Sequence, residues 1–88
     1  MEKGVVVYSS VSVVHRARKM FKKKNMESAV IQLPSDLGLK GCSYALECPA
    51  DLLEEVLNIS KEKGLKIKAI FTVHETENGR VYTAYDLS

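Results

Sequence analysis

Apolar positions along the chain change period several times, and each change marks a structural element. Val5-Val6-Val7-Tyr8 is a short β-branched run that predicts a strand. Ser9-Ser10 then offers hydroxyls able to cap a helix start. From Val11 to Lys24 the apolar residues fall at Val13, Val14, Ala17, Met20 and Phe21, the stripe of an amphipathic helix, and Asn25 suits a left-handed end. Ser28 to Leu33 predicts a second strand, stopped by Pro34. Pro34 to Gly41, with one Pro and two Gly and no periodicity, predicts a loop. Cys42 to Glu47 predicts a third strand. Pro49 suits the first position of a second helix, with Cys48 as its cap and Leu52, Leu53, Val56 and Ile59 as its stripe, ended by Gly64. Lys66 to Val73 alternates, with Ile67, Ala69, Phe71 and Val73 on one side and Lys66, Lys68 and Thr72 on the other. Asn78-Gly79 is a strong hairpin signal, and Val81 to Tyr85 supplies the partner strand.

The predicted order is therefore β-α-β-β-α-β-β. Two helices separated by strand pairs bury their stripes best by packing together on one sheet face. Right-handed crossovers favour a ferredoxin-like sandwich. The expected fold class is thus α+β: β-α-β-β-α-β with an extra C-terminal hairpin strand, and two helices on one face of a mostly antiparallel sheet. In it the first and third strands are expected side by side and parallel, with the second face of the sheet open. Tyr8, Ile70, Tyr82 and Tyr85 fall on strands, and those facing the open side would form a contact surface through which two copies could pair.

Length sets the domain count. A chain of 88 residues has room for one core, so residues 1–88 are expected to form a single domain. No apolar run approaches the ~20 residues a helical membrane span needs, and Met1-Glu2-Lys3 with the short run behind it does not read as a secretory leader. Two cysteines in such a chain are expected to stay reduced, and cytoplasm is the expected location.

The chemistry, if covalent, rests on Cys42 and Cys48. Six positions apart on one predicted strand, they would share a face yet stand roughly 20 Å apart, beyond disulfide reach or a shared metal. Cys48, before Pro49 at a predicted helix N-terminus, sits where backbone N–H groups favour a thiolate; a simple capping role is the plainer reading. Cys42 follows Gly41 at the loop exit, where a thiol can be reached. In the parallel arrangement it lies at the sheet end away from both helix N-termini. Lys40 is the nearest cation in sequence and would favour a thiolate there.

The segment Lys40-Gly41-Cys42-Ser43-Tyr44-Ala45-Leu46-Glu47-Cys48, after a Pro-containing loop, resembles the selenium/sulfur carrier-like family of small bacterial and archaeal proteins. The resemblance covers roughly Val5 to Val73. It implies that Cys42 carries a persulfide or selenium adduct, with Cys48 standing near the second cysteine frequent in that family. Two departures are plain: Ser35-Asp36 follows Pro34 where the family usually has Pro-Arg, and Ser43 follows the cysteine where it usually has Gly. A carrier of this kind is a co-substrate more than an enzyme, and its partners would be sulfur or selenium donor and acceptor proteins. The alternative is a non-catalytic ferredoxin-like interaction module with both cysteines as packing residues.

Charge adds one further surface. The net charge is only +2, but the first helix carries Arg16, Arg18, Lys19, Lys22, Lys23 and Lys24 with no acid. On a helical wheel Arg16, Arg18, Lys19, Lys22 and Lys23 lie opposite the apolar stripe, with His15 among them. The functional reading is a landing face for an acidic partner or for nucleic acid phosphates; the plainer one is a solvated face. No aromatic residues interleave with it, which disfavours nucleic acid. His15 and His74 are the only histidines, and no Cys-x-x-Cys pair or glycine-rich phosphate loop stands in the chain. No metal or cofactor is expected.

Overall fold

The computed structural model describes residues 2–34 and 44–85. These residues form an α+β fold with two α-helices and a five-stranded antiparallel sheet. The elements are β1 (Lys3–Tyr8), α1 (Val11–Lys23), β2 (Ala29–Gln32), β3 (Tyr44–Pro49), a 3₁₀ turn (Ala50–Leu52), α2 (Leu53–Glu62), β4 (Ile67–Thr76) and β5 (Gly79–Ala84). Strand order across the sheet is β2-β3-β1-β4-β5, compatible with a ferredoxin-like sandwich carrying an added strand at one edge.

β1 and β3 are neighbours, as expected, but antiparallel: Lys3 faces Pro49 and Val6 faces Leu46. The parallel expectation is corrected by connectivity. β2 and β3 pair antiparallel, so β3 runs against β2, while β1 and β2, joined through α1, run the same way. β3 fills the slot between them against the direction of both.

Both helices end as their sequences dictate. Ser10 caps α1, its Oγ accepting from the Val13 N–H at 3.4 Å. At the other end Asn25 takes φ 58°, the Met26 N–H donates to the Phe21 carbonyl and the Asn25 N–H to the Lys22 carbonyl. That is a Schellman closure. Gly64, at φ 70°, closes α2 in the same way, with bonds from Leu65 to Ser60 and from Gly64 to Lys61. The residue after each left-handed position, Met26 or Leu65, packs on the core.

Alternation along β1 divides the apolar residues into two clusters. Val6 and Tyr8, with Leu46, Cys48 and Ile70, join Val14, Ala17 and Phe21 of α1 and Leu53, Val56 and Leu57 of α2. Gly4 belongs to this side, because a Cβ there would stand 2.8 Å from Leu53 Cδ1. Val5, Val7, Leu33, Ala45 and Val73 form the second cluster, edged by Ile31, Ala69, Phe71 and Tyr82.

The second face is therefore not open at its centre: Val5, Val7, Ala45 and Val73 are fully buried. The hairpin explains much of this. β4 runs to Thr76, beyond the last β1 pair at Lys3 and Val73, so the β4–β5 ribbon overhangs the sheet. Arg80 Nη2 of β5 reaches Glu47 Oε2 of β3 at 2.6 Å, although β1 and β4 intervene. In a flat sheet three strand spacings, about 14 Å, and an offset of about 13 Å along the strands would separate their backbones. The ribbon must curl over the face to close that gap.

Two local expectations shift. Tyr8 pairs with Ile67 while Val7 pairs with Ala69, so Lys68 is a bulge that moves Ile67 to the helix-side cluster, away from Ala69, Phe71 and Val73. In the hairpin Thr76 pairs with Gly79, which leaves Glu77-Asn78 as the two-residue turn. Gly79, at φ 113°, supplies the glycine conformation one place later than Asn78-Gly79 predicts. Of Tyr8, Ile70, Tyr82 and Tyr85, the strand residues from which an open face would draw its contact surface, Tyr8 and Ile70 are buried on the helix side and Tyr82 is half-buried in the second cluster. Tyr85 is exposed.

Candidate functional site

Cys42 and Lys40 lie outside the described residues. The chain on either side of them marks one end of the sheet. Gln32, the last residue of β2, faces Tyr44, the first of β3. Because β3 runs against β1, Tyr44 stands at the end where β1 stops at Tyr8 and α1 begins. At that end the Ser9 N–H donates to the Lys66 carbonyl at 3.0 Å, which ties the β1–α1 junction to the entry of β4. A surface cavity of about 290 Å³ opens there, lined by Ser9, Lys66, Ile67 and Lys68.

β3 therefore starts, at Tyr44, at the α1 end of the sheet and away from the start of α2, which lies beyond its far end. Parallel pairing of β1 and β3 would put that start at the opposite end; the expected position of Cys42 itself lies outside the described residues.

Cys48 occupies an interior strand position in β3, opposite Gly4. It is not a helix cap: Pro49 ends the strand, the 3₁₀ turn follows, and α2 starts only at Leu53 behind Leu52. Alternation points Cys48 with Leu46 into the helix-side core, where it is 2% exposed. Burial pushes its thiol from 9.0 up to about 11; neighbouring Glu47 and Asp51 add to the rise, and Lys3 opposes it. In place of a helix N-terminus, holding either an activated thiolate or a plain cap, Cys48 has apolar packing around a neutral thiol.

A buried polar pair that sequence reasoning missed lies in the same core. Ser60 Oγ donates to the Val56 carbonyl at 2.8 Å, the back-bond of a helical serine. Its single proton is then committed, so the Tyr8 hydroxyl, 2.6 Å away, donates to Ser60. Burial chiefly pushes Tyr8 up to about 12, with the Ser60 bond opposing and Cys48 adding to the rise. Fifty-two residues separate Tyr8 and Ser60, and nothing local in the sequence announces the pairing. The same holds for Glu47 and Arg80, 33 residues apart.

The remaining sequence candidates do not converge on Cys48. Arg16, Arg18, Lys19, Lys22 and Lys23 are all exposed on α1, with His15 beside them. None forms an ion pair among the described residues. His74, read as solvated, is half exposed with Nδ1 3.4 Å from Glu2 Oε1. Among the described residues no three His, Cys, Asp or Glu side chains are grouped to hold a metal ion, and no helix is long and apolar enough to cross a membrane.

No curated protein and no solved structure matches the chain. Residues 3–72, which run from the first residue of β1 into β4, match the family described as "Putative Se/S carrier protein-like", and the chain belongs to that family.

Proposed function

We propose that the protein is a sulfur or selenium carrier that holds a persulfide-type adduct on Cys42 and hands it from a donor protein to an acceptor. Family membership over residues 3–72 is the observation that carries this reading. The scaffold proposed for it is a ferredoxin-like sandwich with both helices on one sheet face, working in the cytoplasm, where a reducing pool keeps thiols available.

The chemistry asks for a reachable thiolate. Cys42 is two residues before Tyr44 in the chain. Tyr44 stands at the sheet end where α1 starts and where Lys66 and Lys68 line the cavity. Backbone N–H groups of a helix N-terminus and nearby ammonium groups both favour an anionic sulfur or selenium. In the transfer the Cys42 thiolate attacks the terminal chalcogen of the donor adduct and the donor thiolate leaves, with no net oxidation. The reverse attack by an acceptor thiolate discharges the carrier. Cys48, sealed and neutral at pH 7, is assigned no share in this exchange; it is a packing residue.

Incubation with a cysteine desulfurase and cysteine, followed by intact-mass measurement, tests the assignment. The wild type gains the mass of one sulfur atom, Cys42→Ala gains none, and Cys48→Ala still loads. A wild type that never loads, or equal loading of Cys42→Ala, removes the carrier reading. A non-catalytic interaction module would then remain, in which the neutral, buried state of Cys48 extends to both thiols. That second reading requires slow alkylation of Cys42 as well as Cys48 in the folded protein at neutral pH.

A further inference from the structure

We infer that the outward face of α1 is a docking surface for an acidic patch on a partner protein. The inference stands on charge and geometry and holds whether or not Cys42 carries an adduct.

Arg16, Arg18, Lys19, Lys22 and Lys23 are exposed on the side of α1 opposite Val14, Ala17 and Phe21, which anchor it in the core. Lys22 and Lys23 lie in the last turn and complement the helix dipole. Arg16, Arg18 and Lys19 have no such justification. Arg16 and Lys19, Arg18 and Lys22, and Lys19 and Lys23 are like-charge pairs at helical three- or four-residue spacing, which weakens a helix. The three ion pairs among the described residues use Glu2, Glu47 and Glu75 with His74 and Arg80, and none relieves this face. α2 shows the contrasting pattern, with Glu54 and Glu55 in its first turn and Lys61 in its last. Folding alone therefore gives no reason for the concentration of charge on α1, and a complementary surface would remove its self-repulsion.

The rest of the chain indicates which polyanion fits. Five positive charges sit on this face while the whole sequence is +2, so the remainder is net −3. The basic stretch from Arg16 to Lys23 is about 10 Å long. A nucleic acid carries uniform charge well beyond that length and would run on past the face of a protein whose other charges sum to −3. A protein with a local acidic patch meets only the complementary face. Phe21, the one aromatic within the basic stretch, is fully buried on the opposite side of α1 and offers no ring to stack a base.

The test is fluorescence anisotropy with two labelled probes, a glutamate-rich peptide of about 12 residues and a DNA duplex of about 12 base pairs. The peptide is expected to bind wild type with an affinity that falls as salt rises. Arg16→Glu/Lys19→Glu/Lys23→Glu should weaken it at least about tenfold, and the neutral Arg16→Gln/Lys19→Gln/Lys23→Gln should weaken it in the same direction with less risk to folding. Lys61→Glu/Lys63→Glu/Lys66→Glu changes net charge equally elsewhere and should cost less than about twofold. No peptide binding, equal losses in the two triple Glu variants, or tighter binding of the duplex through the α1 residues would each overturn the inference.

Discussion

The two faces of the sheet bury apolar residues to the same degree by different means. On one, Val6, Tyr8, Leu46 and Cys48 share a cluster with residues of α1 and α2, whose ends are fixed by the Ser10 cap and two Schellman closures. On the other, Val5, Val7, Ala45 and Val73 are just as inaccessible. Among the described residues, their cover is Leu33 and side chains of the sheet itself, chiefly Phe71 and Tyr82, held in an edge-to-face contact with ring centroids 6.2 Å apart. The first face is closed by elements with hydrogen-bonded frames of their own. Among the described residues, the second is covered by the curl of one ribbon, pinned by Glu47 and Arg80. Equal burial therefore does not mean equal resistance to perturbation.

Truncating one aromatic on each face is the strongest way to break that comparison. Phe21 is fully buried between α1 and the sheet, and Phe21→Ala should cost about 3–5 kcal/mol, the usual range for a buried Phe truncation. Phe71 is half-buried, and Phe71→Ala should cost about 1–2 kcal/mol because less apolar area leaves water on folding. Urea unfolding followed by circular dichroism reads both. Equal losses would mean that the second face is as firmly closed as the first.

The helix-side core should also reveal itself through pH. In the unfolded chain Cys48 and Tyr8 ionise near their ordinary values of 9.0 and 10.0; in the fold they hold their protons to about 11 and about 12. Both folded values are raised, so their contribution is complete below pH 9 and is lost as pH rises towards 12. Between those limits the unfolded state binds fewer protons, and stability falls with pH. A shift of about two units makes each group worth on the order of 2–3 kcal/mol across its window. The urea midpoint should decline from pH 9 upward, Cys48→Ala should flatten the lower part of that decline, and Tyr8→Phe the upper part. A midpoint that stays level from pH 8 to 11 would mean that water reaches this core.

How far the sequence foretold these features depends on the range of the interaction behind each. The α1 stripe, the Ser10 cap, Asn25 and Gly64 as helix ends, and the hairpin are local features, and each is visible within a few residues. The direction of β3 is not local: Cys42 to Glu47 reads as a strand in either orientation, and the orientation decides at which end of the sheet β3 begins, at Tyr44. Cys48-Pro49 looks like a helix start because Pro suits such a start, but strand pairing with Gly4 holds β3 through Pro49 and delays the helix. The Lys68 bulge is hidden because Lys66 to Val73 alternates without a break in polarity. Arg80 and Glu47 are joined only once the ribbon has curled.

That last contact is the finest test of what closes the second face. Arg80 is about a third exposed and Glu47 less so. The short contact to Glu47 is the first cause of the upward shift of the Arg80 guanidinium, but solvent screening discounts its worth. A double-mutant cycle over Glu47→Ala and Arg80→Ala should give a coupling of about 1 kcal/mol, reduced in high salt. Hydrogen exchange supplies the spatial reading. Either single variant should speed exchange at β5 amides bonded to β4 and leave the amides of α1 and α2 at their wild-type rates. No coupling together with unchanged β5 exchange would transfer the closure to Phe71 and Tyr82, whose ring contact would then hold the ribbon without help from charge.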